Sequence, residues 1–189
     1  MARPPVYDDA LRERLLEVTA DVVARDGATK AALRDIARSA GTSTSAVYTL
    51  FGGKGELLAA VIEHGFDSFA EAQRRAAPDG LRALGVAYRE WAREHPALYR
   101  LMFDGSLDDF AGCEPDPASA SASLAPLQAA IEASGSTAVA RDAVAVWAQV
   151  HGAVSLEFAG VAPPDADWDA VYAAVLDTIE RRWGAVSGS

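Results

Sequence analysis

The sequence predicts an all-α protein, and three observations carry that expectation. Half of the 189 residues are hydrophobic, with alanine used heavily, a composition that favours helix. Apolar residues recur three and four apart in one segment after another, the period of a helix with a single buried face. Alternating runs of β-branched residues, which would signal half-buried strands, are missing. About nine helices are expected, and a chain of this length buries a substantial core.

Met1 to Val6 reads as a short arm with two prolines and one arginine, Arg3. A first helix spans Asp8 to Arg25, with Leu11, Leu15, Val18, Val22 and Val23 as its apolar stripe. Leu33, Ile36 and Ala37 then repeat at helical spacing up to Ala40-Gly41, where glycine ends a short helix in a left-handed conformation. The hydroxyls of Thr42, Ser43, Thr44 and Ser45 are suited to cap a second short helix, which carries Val47, Leu50 and Phe51 inward. Two short helices joined by a tight glycine turn read as a helix-turn-helix, its second helix sized for the DNA major groove. Gly52-Gly53 ends that helix, and a longer one runs from Lys54 to about Ala77 with Leu57, Leu58, Val61, Ile62, Phe66 and Phe69 inward. Lys54 thus stands at a helix N-terminus, where backbone amides and a full positive charge both attract phosphate.

The candidate DNA contacts follow from this layout. Thr44, Ser45, Tyr48 and Thr49 sit on the second helix, Lys54 is assigned to phosphate, and Arg34 and Lys30 are candidates for backbone or base. The second helix holds no Arg, Asn or Gln, the usual bidentate base readers. Forked readout must therefore come largely from Arg34, with shape and water-mediated contacts filling in.

The order Gly41, then Val47-Tyr48-Thr49-Leu50-Phe51, then Lys54-Gly55-Glu56-Leu57-Leu58 resembles the DNA-binding domain of TetR-type repressors. The resemblance reaches back over Ala20 to Gly27 and covers about the first third of the chain. One departure is Ala31-Ala32, where family members carry Ser or Thr at the start of helix two, so that cap moves to Thr29 or is absent. The resemblance implies a helix-turn-helix DNA-binding domain over residues 1–53 and a helical ligand-binding and dimerisation domain over 54–189. It implies a repressor that holds a palindromic double-stranded DNA operator until a small, mostly apolar effector enters the second domain.

In that second domain Pro78-Asp79-Gly80 breaks the chain before a helix with Leu81, Leu84, Tyr88, Trp91 and Ala92 inward, ending at Glu94-His95. Pro96 opens a short sixth helix through Phe103. Asp104 to about Ser121, rich in Gly, Pro, Asp and Ser, reads as a surface loop. A seventh helix places Leu124, Leu127 and Ile131 inward and ends at Ser134-Gly135-Ser136. Ser136 or Thr137 is expected to cap an eighth helix reaching Phe158, and a ninth runs from about Asp165–Asp167 to Trp183, with Arg181 and Arg182 at its favourable end for cations. The run YREWAREHPALYRLMF, together with Trp147-x-x-x-His151-Gly152, resembles a Trp-x-x-x-His-Gly subgroup of the same family. The family pocket then implies Phe66, Phe69, Tyr88, Trp91, Met102, Phe103, Trp147 and His151 as candidate effector contacts.

The last two helices are wide in their apolar faces, with Ala between large residues, so they are expected to pair with a second copy in a four-helix bundle. The candidate interface residues are Val139, Val146, Val150, Val154, Trp168, Val171, Tyr172, Val175, Ile179 and Trp183. A homodimer also suits the head, since one short recognition helix reads few base pairs and two placed a helical turn apart read a palindrome.

The charge is uneven. Residues 1–60 hold eight basic and eight acidic groups, so the net charge of −10 lies wholly beyond them. A neutral head can meet a duplex that an acidic body repels. Cys113 is the single cysteine, which excludes a disulfide framework and fits a reducing cytoplasm. No signal peptide and no membrane span are expected, the uncharged stretch 143–156 being too short. His64, His95 and His151 lack metal-ligand spacing, and no cofactor is expected. No nucleophile–base pair, phosphate loop or paired-carboxylate arrangement indicates an enzyme. The remaining alternative is a helical ligand-binding or adaptor protein without DNA binding, against which Tyr48 and Lys54 speak.

Overall fold

The structure, a computed structural model, describes residues 9–103, 117–161, 163 and 165–184. Among these the chain forms α1 (Asp9–Asp26), α2 (Leu33–Ser39), α3 (Thr44–Phe51), α4 (Lys54–Ala76), a 3-10 turn (Ala77–Asp79), α5 (Gly80–Glu94), α6 (Pro96–Phe103), α7 (Pro117–Ala133), α8 (Val139–Ala159) and α9 (Trp168–Trp183). The fold is all-helical, as the composition and the spacing of apolar residues predict. The N-terminal arm, Cys113 and the stretch 104–116 lie outside the described residues.

Two local expectations are corrected, and of the two alternatives at the start of α2 the absent cap is the one found. The loop expected through Ser121 yields to helix from Pro117 onward. Proline is tolerated in a first helical turn, and the alanines that follow are the best helix formers, so the Ala-Ser alternation propagates a helix. The first residue outside α2 is Ala32, with no side-chain cap. At α8 the capping position is Ala138, and neither Ser136 nor Thr137 holds it. Ser136 serves from two residues further out: its Oγ accepts from the Ala138 amide at 3.0 Å and donates to Asp142 Oδ2 at 2.7 Å.

The helices form two compact units, residues 1–67 with 95–119 and residues 68–94 with 120–189. In the first, α6 packs against α1. Leu15, Leu16, Ile36, Val47, Leu57, Val61, Ile62 and Tyr99 are fully buried there. Val18, expected in the α1 stripe, is half-buried, because Leu16 and Thr19 take the inner face. Thr19 satisfies its buried hydroxyl by donating to the Leu15 carbonyl at 2.6 Å.

In the second unit α5, α8 and α9 pack on one another. The Tyr172 hydroxyl donates to the Gly85 carbonyl at 2.6 Å, where the missing side chain lets α9 approach α5. Beside it Arg89, only 8 % exposed, lies over the Tyr172 ring at 4.9 Å. Its guanidinium forks onto Glu157 at 2.9 and 3.0 Å and reaches Asp169 at 2.8 Å. Arg93 also bonds Glu157, at 2.6 and 3.2 Å. Burial alone would raise the Glu157 carboxyl, but the bonds and charges of Arg89 and Arg93 outweigh it and hold the group below its usual value.

A buried carboxylate, Asp142, ties the start of α8 to the end of α9. Ser136, Arg141 and the Trp183 indole all donate to it, in that order of effect, and hold its carboxyl down at about 2. A folded-state value below the usual one contributes stability that is present above the ordinary carboxylate range and is lost as pH falls through the folded value. Asp142→Asn is therefore expected to flatten the loss of stability between about pH 4 and about pH 2, with Glu157 sustaining part of the remainder. Urea midpoints measured across that range check it, and an unchanged acid limb would refute it.

Candidate functional site

The head is built around α3. Gly41 turns the chain with φ 69°, and the Thr42 amide donates back to the Ala37 carbonyl at 2.8 Å, closing the end of α2. Ser43 is extended at φ −103° and ψ 157°, and its Oγ accepts from the Ala46 amide at 3.3 Å. Gly52, with φ 97°, ends the helix. Ala46 and Val47 are wholly buried, which fixes how the helix is rotated. Ser45, Tyr48 and Thr49 consequently face outward, Tyr48 being 59 % exposed, while Thr44 is half-buried.

Thr44 with Tyr48 and Ser45 with Thr49 form two pairs one helical turn apart, so the predicted contacts share one surface. The surface is uncharged. The candidate cations are on other elements: Arg34 on α2 and Lys30 before it are both exposed. Arg38, the neighbouring cation on α2, is instead taken up by Asp35 at 2.6 Å. Lys54 is half-buried, and its Nζ donates to the Thr29 carbonyl at 3.4 Å, a long bond that a phosphate oxygen readily replaces.

One contributor carries no signal in the sequence. The Arg12 guanidinium of α1 lies 5.3 Å from the centre of the Phe51 ring, at the last residue of α3. A cation over an aromatic face at an exposed site contributes about 0.5–1 kcal/mol, so Arg12 helps hold the end of α3 in place. The two are 39 residues apart in sequence, and no local pattern marks them as neighbours.

The candidate effector residues divide between the two units. Phe66, Met102 and Phe103 belong to the first, where Phe66 and Phe103 meet edge-on at 6.4 Å. Phe69, Tyr88, Trp91, Trp147 and His151 belong to the second. There Phe69 meets Tyr88 at 5.3 Å and Trp91 at 5.2 Å, both edge-on. The Tyr88 hydroxyl lies 2.9 Å from His151 Nδ1, Ser155 Oγ lies 3.3 Å from His151 Nε2, and the Trp147 ring is tilted against the imidazole. The five side chains thus form an aromatic cluster with one imidazole held at both nitrogens. Ser155 is an addition to the candidate set, although its position four residues after His151 on α8 puts it on the same helix face. A groove of about 260 Å³ lies elsewhere in the second unit, lined by Ser134, Gly135, Ser136, Thr137, Arg141, Asp142, Arg182 and Trp183, and takes in none of these aromatic residues.

Of the candidate interface residues, Val146, Val150, Val154, Tyr172 and Ile179 are buried within the chain itself. They fill the contacts among α5, α8 and α9, which is why those stripes are so wide. Val139, Trp168, Val175 and Trp183 are half-buried, and Val171 is 41 % exposed. The large exposed apolar side chains of α8 are two that the stripe did not include, Val144 and Leu156.

A glycine-bounded helix-turn-helix in one unit, and in the other an all-helical arrangement with an aromatic interior, define the class of helix-turn-helix regulators with a helical C-terminal domain. Residues 15–61 match the profile of bacterial regulatory proteins of the tetR family, and residues 81–179 match the tetracyclin repressor-like C-terminal domain. The chain belongs to the TetR family of regulators. No curated protein matches it. Among solved structures, a protein with unknown function from Rhodococcus sp. RHA1 is 26% identical, with a TM-score of 0.74 over 96% of this chain and 100% of that one. The TetR family transcriptional regulator PfmR from Thermus thermophilus is 21% identical, with a TM-score of 0.66 over 89% and 97%. The fatty acid degradation regulator FadR from Bacillus halodurans is 13% identical, with a TM-score of 0.74 over 97% and 100%. The last two show likeness of fold alone.

The N-cap of α3 supports the whole outward surface. Ser43→Ala removes the acceptor of the Ala46 amide and is expected to destabilise the protein by about 1 kcal/mol. A denaturation midpoint no lower than that of the parent would show that the cap contributes nothing.

Proposed function

We propose that the protein is a cytoplasmic transcriptional repressor that binds a palindromic operator as a homodimer and leaves it when a small, mostly apolar ligand is bound. Residues 1–53 carry DNA binding, and residues 54–189 carry ligand binding and dimerisation. The observation that supports this reading best is the surface of α3. Ala46 and Val47 are buried beneath it, Ser45, Tyr48 and Thr49 are exposed on it, and Lys54, Lys30 and Arg34 supply positive charge from neighbouring elements. Uncharged hydroxyls suit base edges and sugar, and cations around them suit phosphate.

The Trp147-x-x-x-His151-Gly152 spacing supports placing the second unit in the subgroup that carries it. The aromatic cluster around His151 supports an apolar ligand with one polar group, and Phe66, Met102 and Phe103 extend the candidate set. Helix α4 has residues in both compact units, starting at Lys54 and ending at Ala76. It is the element through which a ligand in the second unit acts on the first. That action requires a ligand that prefers one state by a few kcal/mol, since equal affinity for both shifts nothing. Among the described residues no helix is long and apolar enough to cross a membrane. Dimerisation in this reading uses the exposed and half-exposed apolar residues of α8 and α9, Val171 and Trp168 among them.

Lys54→Ala is expected to weaken binding to every duplex and to reduce the slope of log affinity against log salt by about one. Fluorescence anisotropy at several salt concentrations measures both, and a change in sequence preference alone would refute the phosphate assignment. Ligands shown by calorimetry to bind are expected to lower operator affinity at least tenfold, which is about 1.4 kcal/mol of coupling. Operator affinity that stays constant across such ligands would remove the induction step.

A further inference from the structure

The recognition surface carries an asymmetry that its hydroxyl-rich sequence conceals. Four of the residues facing or flanking the outer side of α3 bear hydroxyls, yet they are not chemically alike. Thr49 Oγ1 donates its proton to the Ser45 carbonyl one turn back, at 2.9 Å. Its oxygen is thereby drawn against its own helix. Among the described residues the hydroxyls of Ser45 and Tyr48 make no such bond. Thr49 is exposed, and with its hydroxyl proton committed to its own helix the side chain offers an outside partner a γ-methyl and an acceptor oxygen but no donor. The bond to the preceding turn also selects one χ1 rotamer, which presets the direction of that methyl.

What an uncharged methyl reads in the major groove is limited. Guanine and adenine are read by forked donors from Arg, Lys, Asn or Gln, none of which occurs in α3 (TSAVYTLF). The apolar feature of the major groove is the C5-methyl of thymine, which distinguishes T·A from the other base pairs without any hydrogen bond. We propose that Thr49 is a specificity-determining residue that packs its methyl on a thymine C5-methyl, so that each operator half-site contains a T·A pair opposite the last turn of α3. This rests on α3 being the recognition helix, and it specifies which base α3 reads and by what chemistry.

The test uses the full-length protein and random duplexes. Selection from a random duplex pool identifies the preferred site. Each thymine of that site is then replaced singly by deoxyuridine, which removes only the C5-methyl. At one position per half-site the replacement is expected to weaken the parent protein about fourfold, the effect of burying one methyl-sized group. Thr49→Ser keeps the hydroxyl and its bond to Ser45 but lacks the methyl, so it is expected to bind the thymine and uracil versions equally. Thr49→Val lacks the hydroxyl and keeps a methyl, so it is expected to retain the fourfold difference.

A selected site at which no thymine-to-uracil change weakens the parent protein would overturn the assignment while leaving DNA binding intact, and that measurement needs no variant to fold. Discrimination that persists in Thr49→Ser but vanishes in Thr49→Val would equally overturn it, assigning the readout to the hydroxyl. A parent protein that enriches no duplex at low salt would remove the DNA-binding reading itself, and this assignment with it.

Discussion

The head depends on the burial of two small positions, Ala46 and Val47, beneath a helix only eight residues long. A helix this short has little intrinsic stability in water, so its packing and its ends must define it. Both ends are defined by backbone chemistry. Gly41 and Gly52 adopt positive φ, which lets the chain enter and leave α3 within a few residues. Ser43 satisfies one of the otherwise orphaned amides. With rotation fixed by Ala46 and Val47, the faces of Ser45, Tyr48 and Thr49 have nowhere to turn but outward. A bulkier residue at Ala46 would rotate or lift α3 and thereby re-aim every candidate contact at once, without touching any of them.

The second unit solves a different problem. It buries charge among apolar helices, which is costly unless every charged atom finds a partner. Arg89 meets this with four attachments: two to Glu157, one to Asp169 and one to the Tyr172 ring. Among the described residues no buried side-chain nitrogen or oxygen lacks a hydrogen-bond partner. Such a network adds less to stability than its bond count suggests. Its effect is on specificity: α5, α8 and α9 cannot slide past one another without stranding a buried ion. Asp142 performs the same service between the beginning of α8 and Trp183 at the end of α9.

These two solutions explain what is legible in the sequence and what is not. Periodicity reveals α1 to α6 within a residue or two, because each buries one face at helical spacing whether its partner is near in sequence, as α2 is to α3, or far, as α6 is from α1. Glycine at 41 and 52 marks the turn because only a backbone free to take positive φ serves there. The DNA-contact candidates on α3 are legible for the same reason: on an eight-residue helix, knowing the buried face gives the exposed one. The apolar faces of α8 and α9 carry no such implication. A stripe as wide as Val146, Val150 and Val154 with Tyr172 and Ile179 suits either a partner chain or an internal contact with α5, and the structure places these five inside. Arg12 over Phe51, and Arg89 between Glu157 and Asp169, depend on residues tens of positions apart, whose meeting no local spacing encodes.

The charge distribution follows from the same division of work. In the proposed reading an uncharged α3 contributes nothing to the long-range attraction between protein and duplex, and the candidates for that attraction are cations of other elements, Arg34, Lys30 and Lys54. Few cations mean few counterions released, and an acidic remainder opposes approach at every sequence equally. In that reading non-specific binding is weak, and the affinity of a correct site comes from short-range fit on α3. Short-range fit decays within an ångström or so of misalignment, whereas charge attraction does not. A head that binds mainly by fit is therefore more sensitive to a small displacement of α3 than one that binds by charge. That sensitivity is what the proposed control through α4 requires.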